Sequence, residues 1–191
     1  MTPELSSPFA ILCVCTGNVC RSPVAERLLA HRLGPEVQVT SAGTLGLPGR
    51  GIEPEMVAHL TAAGVPKAEF VARRMTPADV RDADLVLGLG REHRSEAVEL
   101  VPAAVRRAFT LLEFARLLST IDPAELPDGT VADRLRAAVP LAAARRRRVE
   151  SVDLDDVADP YRQAQQAYDA SFTAIRTAVD TIADRVVPHS G

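Results

Sequence analysis

Residues 9–23 read Phe-Ala-Ile-Leu-Cys-Val-Cys-Thr-Gly-Asn-Val-Cys-Arg-Ser-Pro, and this stretch decides the fold. Its first half is a short, continuous apolar run of the kind that fills a buried parallel strand. Gly17 and Asn18 then mark a sharp turn, because both residue types tolerate positive φ. Ser22 is the predicted helix N-cap and Pro23 the predicted first helical residue. The pattern therefore predicts a strand, a tight loop and a helix start in immediate succession.

Strand-like runs alternate with helical stretches along most of the chain. Such alternation predicts an α/β fold, in which helices cover both faces of a parallel sheet. In this fold class a ligand binds at the carboxyl ends of the strands, which is where Cys15 lies. The predicted strands are 8–14, 37–40, 84–89 and 108–111, and the predicted helices are 22–33, 53–63, 91–100 and most of the remaining chain.

The loop after the first strand combines the groups that hold a doubly charged oxyanion. Backbone N–H groups and the positive end of the helix converge there. Arg21 adds a planar fork of donors that can hold two oxygens of a phosphoryl group. Cys15 lies at the floor of the loop, and an electropositive setting favours the thiolate, the nucleophilic form of cysteine. Ser22 is expected to donate a hydrogen bond to this sulfur, and Asn18 to hold the loop backbone.

The segment from Cys15 to Pro23 resembles the C-x5-R-S-P signature of the low-molecular-weight protein-tyrosine phosphatases. Two later segments, Ser41-Ala42-Gly43-Thr44 and Asp159-Pro160-Tyr161-Arg162, occur in the order found in that family. The resemblance covers residues 8–118 and 152–187. It implies a doubly wound sheet of four parallel strands and a phosphate-binding loop after strand 1, built from Thr16, Gly17, Asn18, Val19, Cys20, Arg21 and Ser22.

The resemblance also implies an activity, the hydrolysis of phosphotyrosine and aryl phosphates through a phosphocysteine intermediate. Cys15 would be the nucleophile, Arg21 the phosphoryl-binding cation and Asp159 the general acid. Ser41 is expected to support the loop, and Tyr161 to stack against a substrate ring. The implied partners are phosphotyrosine-containing proteins, together with a tyrosine kinase that opposes the enzyme. No cofactor and no metal are expected.

Three positions depart from the family pattern. A histidine that commonly supports the loop asparagine is replaced by Phe70, an aspartate after the third strand is replaced by Gly90, and an aromatic cleft residue is replaced by Leu47. Tyr161 is therefore the expected stacking surface. The first two losses also leave open a phosphate-binding pseudoenzyme.

Two other activities are compatible with this loop. A related arsenate reductase would need an external small thiol, because no cysteine follows Cys20. A phosphoarginine phosphatase is disfavoured, since the resemblance suggests that such enzymes carry threonine where this chain has Val19. For Cys20 itself, the resemblance leaves open a reversible disulfide with Cys15.

The remaining candidate side chains have simpler interpretations. Cys13 is expected to pack in the core. The acids beside Asp159 are expected to be solvated loop residues: Asp153, Asp155 and Asp156. The histidines have no metal-ligand spacing and are expected to have surface or half-buried structural roles: His31, His59, His93 and His189.

Composition limits the class of protein. The chain has 191 residues, of which 47% are apolar, so it can bury one good core and is expected to form one domain over residues 1–191. Its net charge of −3 argues against nucleic acid as a partner. No membrane insertion is expected, and the first residues lack signal-peptide features. The three clustered cysteines suit a reducing compartment, which predicts a cytoplasmic location. The sequence does not indicate an oligomeric state.

The segment 119–158 is predicted to be a helical insertion. Residues 133–148 form an Ala-rich helical pattern that ends in four arginines, a charge placement typical of a solvated helix end. Because this segment leads directly into Asp159, we expect it to border the cleft and to screen protein substrates.

Overall fold

The computed structural model describes residues 8–146 and 155–188. Four parallel strands form the sheet: β1 (Phe9–Cys15), β2 (Val37–Gly43), β3 (Leu85–Gly88) and β4 (Ala108–Thr110). Their order across the sheet is β2-β1-β3-β4. The chain crosses from one side of β1 to the other, which creates a crevice at the carboxyl end of β1. The predicted α/β fold with a four-stranded parallel sheet is confirmed.

Seven α-helices surround the described sheet: α1 (Arg21–Leu33), α2 (Pro54–Ala62), α3 (Pro77–Asp82), α4 (Arg91–Leu100), α5 (Leu111–Ser119), α6 (Val131–Arg145) and α7 (Gln165–Val186). Two 3₁₀ turns lie at Pro102–Arg106 and Pro123–Glu125. Helix α4 has the predicted limits. Helix α3 was missed, although Thr76 and Asp79 form a capping box at its start. Strand β2 extends three residues beyond the prediction, so Ser41 lies within the strand.

Strand β1 is buried on both faces, which explains its continuous apolar sequence. Ile11 and Cys13 pack in the larger core with α1, α5 and α7. Leu12 and Val14 pack on the opposite face with residues from α3 and α4. Cys13 is fully buried, as predicted. This packing fixes the position of Cys15 at the carboxyl end of the strand.

The start of α1 differs from the prediction. The helix begins at Arg21, its N-cap position is Cys20, and no side chain caps it. Ser22 is therefore not the N-cap. Because its hydroxyl is not used for capping, Ser22 can turn toward the sulfur of Cys15, 3.0 Å away.

Helix α6 lies at the end of the sheet opposite to Cys15. The Arg136 guanidinium lies 6.0 Å from the ring centroid of Phe9, the first residue of β1. Arg146 donates a hydrogen bond to the carbonyl of Ala108, the first residue of β4. The expectation that the 119–158 segment borders the cleft is therefore wrong for residues 131–146, whereas Val157, near the end of the segment, contacts Arg21.

The arginines at the end of α6 are paired rather than freely solvated. Arg145 contacts the carboxylate of Glu125 at 2.6 Å, and Arg146 contacts that of Glu113 at 2.6 Å. These contacts, together with Leu135 in the main core, attach α6 to the rest of the fold. The other residues of the predicted arginine run, Arg147 and Arg148, lie outside the described residues, as does Asp153. In the described part of the chain, no helix combines the length and apolar character needed to cross a membrane.

We expect the substitution Leu135→Ala to lower the free energy of unfolding by about 2–5 kcal/mol, because it removes a fully buried side chain from α6 and leaves a cavity. Urea denaturation measures this change. Leu100→Ala is the control, since Leu100 is 45% exposed and its loss should cost at most about 0.5 kcal/mol. Equal small losses in both variants would mean that α6 is not part of the cooperatively folded core.

Candidate active site

A cleft of about 220 Å³ opens at the carboxyl end of β1. The loop between β1 and α1 forms its floor, and residues from two other loops form its walls. The sequence-predicted residues that meet here are Cys15, Thr16, Gly17, Val19, Cys20, Arg21, Asp159 and Tyr161. Positions separated by more than a hundred residues in the chain thus line one small site.

The peptide groups of the loop are oriented by bonds on its outer side. The carbonyl of Thr16 accepts from Leu45 at 3.1 Å, that of Gly17 from Leu47 at 3.0 Å, and that of Val19 from Glu53 at 2.9 Å. In a planar peptide the N–H points opposite to the carbonyl. The N–H groups that follow these carbonyls therefore face the inside of the loop, where an anion would lie.

Close packing around Thr16 requires a glycine in the neighbouring strand. A Cβ atom on Gly43 would lie 2.5 Å from the Thr16 carbonyl oxygen. The glycine of the segment Ser41-Ala42-Gly43-Thr44 therefore has a packing role beside the loop.

The sulfur of Cys15 lies at the centre of this loop, and the residue is 2% exposed. It accepts a hydrogen bond from the backbone N–H of Asn18, at 3.3 Å, and lies 3.0 Å from the hydroxyl oxygen of Ser22. Asn18 has a φ of 59°, in the left-handed region that asparagine tolerates. Donors directed at a sulfur stabilise its anionic form.

A chain of hydrogen bonds orients the Ser22 hydroxyl. The Ser41 hydroxyl donates to the carboxylate of Glu26, so its oxygen accepts from the Asn18 amide at 2.9 Å. The same amide donates to the Ser22 oxygen at 2.9 Å. The Ser22 hydrogen then remains for Cys15 at 3.0 Å, or for the carbonyl of Ala42 at 3.5 Å. Geometry favours the sulfur. Ser41 contacts the loop through the Asn18 side chain.

Glu26 was not singled out from the sequence. It lies on α1, four residues after Ser22, and burial raises the pKa of its carboxyl. A glutamate at this helical spacing is indistinguishable from a surface residue until the position of Ser41 is known.

The side-chain Oδ1 of Asn18 accepts from the backbone N–H of Arg73 at 3.0 Å. Asn18 is thus held by Ser22, Ser41 and a backbone group. Phe70 is half-buried and packs against the main core.

Arg21 and Asp159 form an ion pair across the cleft, with 2.7 Å between Nη2 and Oδ2. Arg21 also donates to the carbonyl of Val157 at 3.1 Å and, more weakly, to the Thr16 hydroxyl at 3.5 Å. The arginine is 5% exposed, whereas Asp159 is largely open to solvent. The guanidinium is thus fixed, and an incoming anion would compete with Asp159 for it.

His93 is fully buried beneath the loop, which corrects the expected surface or half-buried role. Its Nε2 lies 2.9 Å from the Thr16 hydroxyl, and its Nδ1 has no hydrogen-bond partner among the described residues. Burial, followed by the charge of Arg21, lowers the pKa of His93 to about 4. A neutral imidazole therefore supports Thr16 at physiological pH.

The walls of the cleft are mostly apolar. Leu45, Leu47 and Val19 form one part, and the half-buried ring of Tyr161 forms another. Burial raises the pKa of the Cys20 thiol to about 12, so this second loop cysteine is neutral at physiological pH. Cys15 and Cys20 are both free thiols, and the disulfide between them stays a prediction.

Asp155 and Asp156 are paired with other groups rather than free in solution, contrary to expectation. Asp155 is buried and both of its oxygens lie 2.9 Å from one nitrogen of Arg116. Asp156 accepts from the backbone N–H of Arg91 at 2.7 Å. Within residues 8–146 and 155–188, no group of three metal-binding side chains occurs. His189 lies outside these ranges.

Comparison with known proteins gives the family. The family model for low molecular weight phosphotyrosine protein phosphatases matches residues 10–134. The chain is 37% identical over 119 residues to the low molecular weight protein-tyrosine-phosphatase Etp of Escherichia coli, covering 62% of this chain and 76% of Etp. It is 29% identical to EpsP of Ralstonia solanacearum, a probable low molecular weight protein-tyrosine-phosphatase, over 92% of this chain and 94% of EpsP.

Solved structures give the same fold. The tyrosine phosphatase AmsI of Erwinia amylovora aligns with a TM-score of 0.70 at 22% identity, covering 97% of each chain. The YwlE arginine phosphatase of Geobacillus stearothermophilus aligns with a TM-score of 0.68 at 28% identity, covering 93% of this chain and 92% of YwlE. The chain therefore belongs to the low molecular weight phosphotyrosine protein phosphatase family and is a phosphoric monoester hydrolase.

Proposed function

We propose that this protein hydrolyses phosphotyrosine in proteins through a phosphocysteine intermediate on Cys15. The observation that carries the proposal is the position of the Cys15 sulfur. It lies inside a ring of inward-facing N–H groups, beside the Ser22 hydroxyl and below a fixed arginine. Such an arrangement binds a phosphoryl group and presents a nucleophile to its phosphorus atom.

The first step begins when the phosphoryl group of the substrate binds the Arg21 guanidinium and displaces Asp159 from it. The freed carboxylate takes up a proton from solvent, and the resulting carboxylic acid faces the leaving phenolic oxygen. The sulfur of Cys15 forms a bond to phosphorus while the bond to the phenolic oxygen breaks, and Asp159 transfers its proton to that oxygen. The products of this step are a phenol and a phosphocysteine.

The second step regenerates the enzyme. Water attacks the phosphorus atom, Asp159 accepts a proton from that water, and the bond between phosphorus and sulfur breaks. The Ser22 hydroxyl donates to the departing sulfur. A general acid contributes roughly 10²–10⁴ to the rate. Most of the acceleration must therefore come from in-line positioning and from the electrostatics of the loop and Arg21.

The shape of the cleft supports an aromatic phosphoester. Leu45, Leu47 and Tyr161 provide apolar surface above the loop, which suits a phenyl ring better than a charged group. The relatives named above as tyrosine phosphatases support the same substrate class. Phosphotyrosine-containing proteins, and the tyrosine kinase that forms them, are the partners that we propose. The reduced thiols support a cytoplasmic location.

We expect Cys15→Ser to abolish hydrolysis of aryl phosphates, because the hydroxyl is a far weaker nucleophile than the thiolate. We expect Asp159→Ala to lower turnover by roughly 10²–10⁴-fold and to retain a phosphotyrosyl protein in a stable complex. Steady-state kinetics and co-purification with a phosphotyrosyl protein measure the two effects.

Cys13→Ala is the matched control, since Cys13 is a buried thiol two residues before Cys15 and lies in the core. This variant should keep its activity at a temperature where it is folded. Equal losses in the Cys15 and Asp159 variants would contradict the proposed division between nucleophile and acid. Reduction of arsenate with an external thiol, without hydrolysis of aryl phosphates, would favour the reductase instead.

A phosphoarginine phosphatase is the second candidate, because YwlE is an arginine phosphatase and is 28% identical to this chain. The discriminating position is Val19, which lines the cleft and is buried. Valine offers no hydroxyl to a guanidinium-linked phosphoryl group, so the phenolic ester is preferred.

We expect Val19→Thr to raise the ratio of phosphoarginine to phosphotyrosine hydrolysis by about tenfold, as one added hydrogen bond of about 1.4 kcal/mol would give. The measurement is kcat/KM for both substrates on each protein. Val71→Thr is the control, because Val71 is exposed and does not line the cleft. A wild-type protein that already prefers phosphoarginine would contradict the proposed substrate.

A further inference from the structure

The segment that carries Asp159 is attached to the rest of the fold by charged contacts. Asp155 pairs with Arg116 of α5, Asp156 pairs with Arg91 of α4, and Asp159 itself pairs with Arg21. Each aspartate thus contacts a different helix. Of the other two, Asp156 lies closer in sequence to Asp159.

Asp156 binds the first residue of α4 through both of its oxygens. Oδ1 accepts from the Arg91 backbone N–H at 2.7 Å, and Oδ2 accepts from the Arg91 side chain at 3.0 and 3.1 Å. Burial opposes ionisation, but the hydrogen bonds and the charge of Arg91 hold the pKa of Asp156 below its usual range. A carboxylate at a helix N-terminus is also favoured by the helix dipole.

Helix α4 needs a cap from elsewhere, because its N-cap residue is Gly90 and no side chain of its own caps it. A Cβ atom built on Gly90 would lie 3.5 Å from Oδ1 of Asp156. This is an ordinary van der Waals distance, so the carboxylate of Asp156 lies directly beside the point where a side chain at position 90 would begin. Asp156 caps α4 from a segment 65 residues away in the sequence.

The next residue, Val157, connects the capped end of α4 to the site through two hydrogen bonds. The backbone N–H of Val157 donates to the carbonyl of Leu89 at 2.9 Å, and the Val157 carbonyl accepts from Arg21 at 3.1 Å. Asp156 and Val157 thus fix the backbone just before Asp159 against the start of α4 and against the phosphoryl-binding arginine.

We infer that Asp156 is a positioning residue for Asp159, and that it acts by fixing the acid-bearing segment to the N-terminus of α4. This inference rests on the proposed function, in which Asp159 protonates the leaving group. Misplacement of a reacting group by about 1 Å can cost as much as 100-fold in rate. The Asp156 side chain is 42% exposed, so its ion pair contributes little to stability. Its loss should therefore affect proton transfer more than folding.

The experiment compares kcat/KM for aryl phosphates whose leaving phenols differ in acidity. A poor leaving group such as phenolate needs the acid, whereas 2,4-dinitrophenolate leaves without it. We expect Asp156→Asn to lower kcat/KM about tenfold for phenyl phosphate and less than about twofold for 2,4-dinitrophenyl phosphate. The dependence of rate on leaving-group pKa should become steeper, toward that of Asp159→Ala.

Asp133→Asn is the matched control. Asp133 also accepts from a backbone N–H at a helix start, that of Thr130, and also lies near an arginine, Arg136. It belongs to α6, at the opposite end of the sheet. Its loss should leave the leaving-group dependence unchanged.

The double variant Gly90→Asp/Asp156→Ala tests whether capping of α4 alone is sufficient, or whether the cap must come from the segment that carries Asp159. The side chain of an aspartate at position 90 would begin beside the place of the removed Asp156 carboxylate. The backbone at Gly90 is extended, with a φ of −161°, and accepts any residue. We expect this variant to keep the steep dependence of Asp156→Ala alone, because an aspartate at position 90 caps α4 without fixing the segment that carries Asp159. A shallow dependence in the double variant would mean that capping of α4 is sufficient, and it would overturn the inference. Equal losses for all substrates, or an unchanged slope in Asp156→Asn, would overturn the inference. A wild-type protein that hydrolyses no aryl phosphate would instead overturn the proposed function.

Discussion

The inward orientation of the peptide groups between Cys15 and Arg21 is the constraint on which the rest of the site depends. Three loop carbonyls are bound from outside by the segment 45–53, so the N–H groups that follow them face the inside of the loop. This arrangement needs a strand that cannot shift, and β1 is fixed because both of its faces are buried. The donors that would surround a phosphoryl group are thus already in place before any substrate binds.

In the site without substrate, the charges of Arg21 and Asp159 neutralise each other. Asp159 lies on Arg21 at the place where phosphoryl oxygens would bind, with a buried guanidinium on one side and a half-exposed carboxylate on the other. In the proposed mechanism a phosphoryl group displaces Asp159 from this guanidinium, so binding of the phosphoryl group and release of the acid would be coupled through one arginine.

The sequence predicted the parts of the fold and site whose signals are local. The apolar run of β1, the turn at Asn18 and the alternation of elements indicated the sheet, and the loop motif brought Cys15 and Arg21 together. The missed parts depend on contacts between distant segments. Glu26, His93 and Asp156 look like ordinary helix or loop residues until Ser41, Thr16 and the start of α4 are placed beside them. The position of α6 likewise depends on which end of the sheet its buried face meets.

Gly90 and Asp156 show why a departure from a family pattern at one position does not by itself predict loss of function. What α4 requires is a carboxylate within hydrogen-bond distance of its first N–H group, and the chain segment that supplies it is not prescribed. Asp156 supplies it at 2.7 Å from outside the helix. An acid within α4 would cap the helix alone, whereas an acid three residues before Asp159 also ties the acid-bearing segment to the sheet. The same carboxylate therefore caps a helix and fixes the segment that carries Asp159.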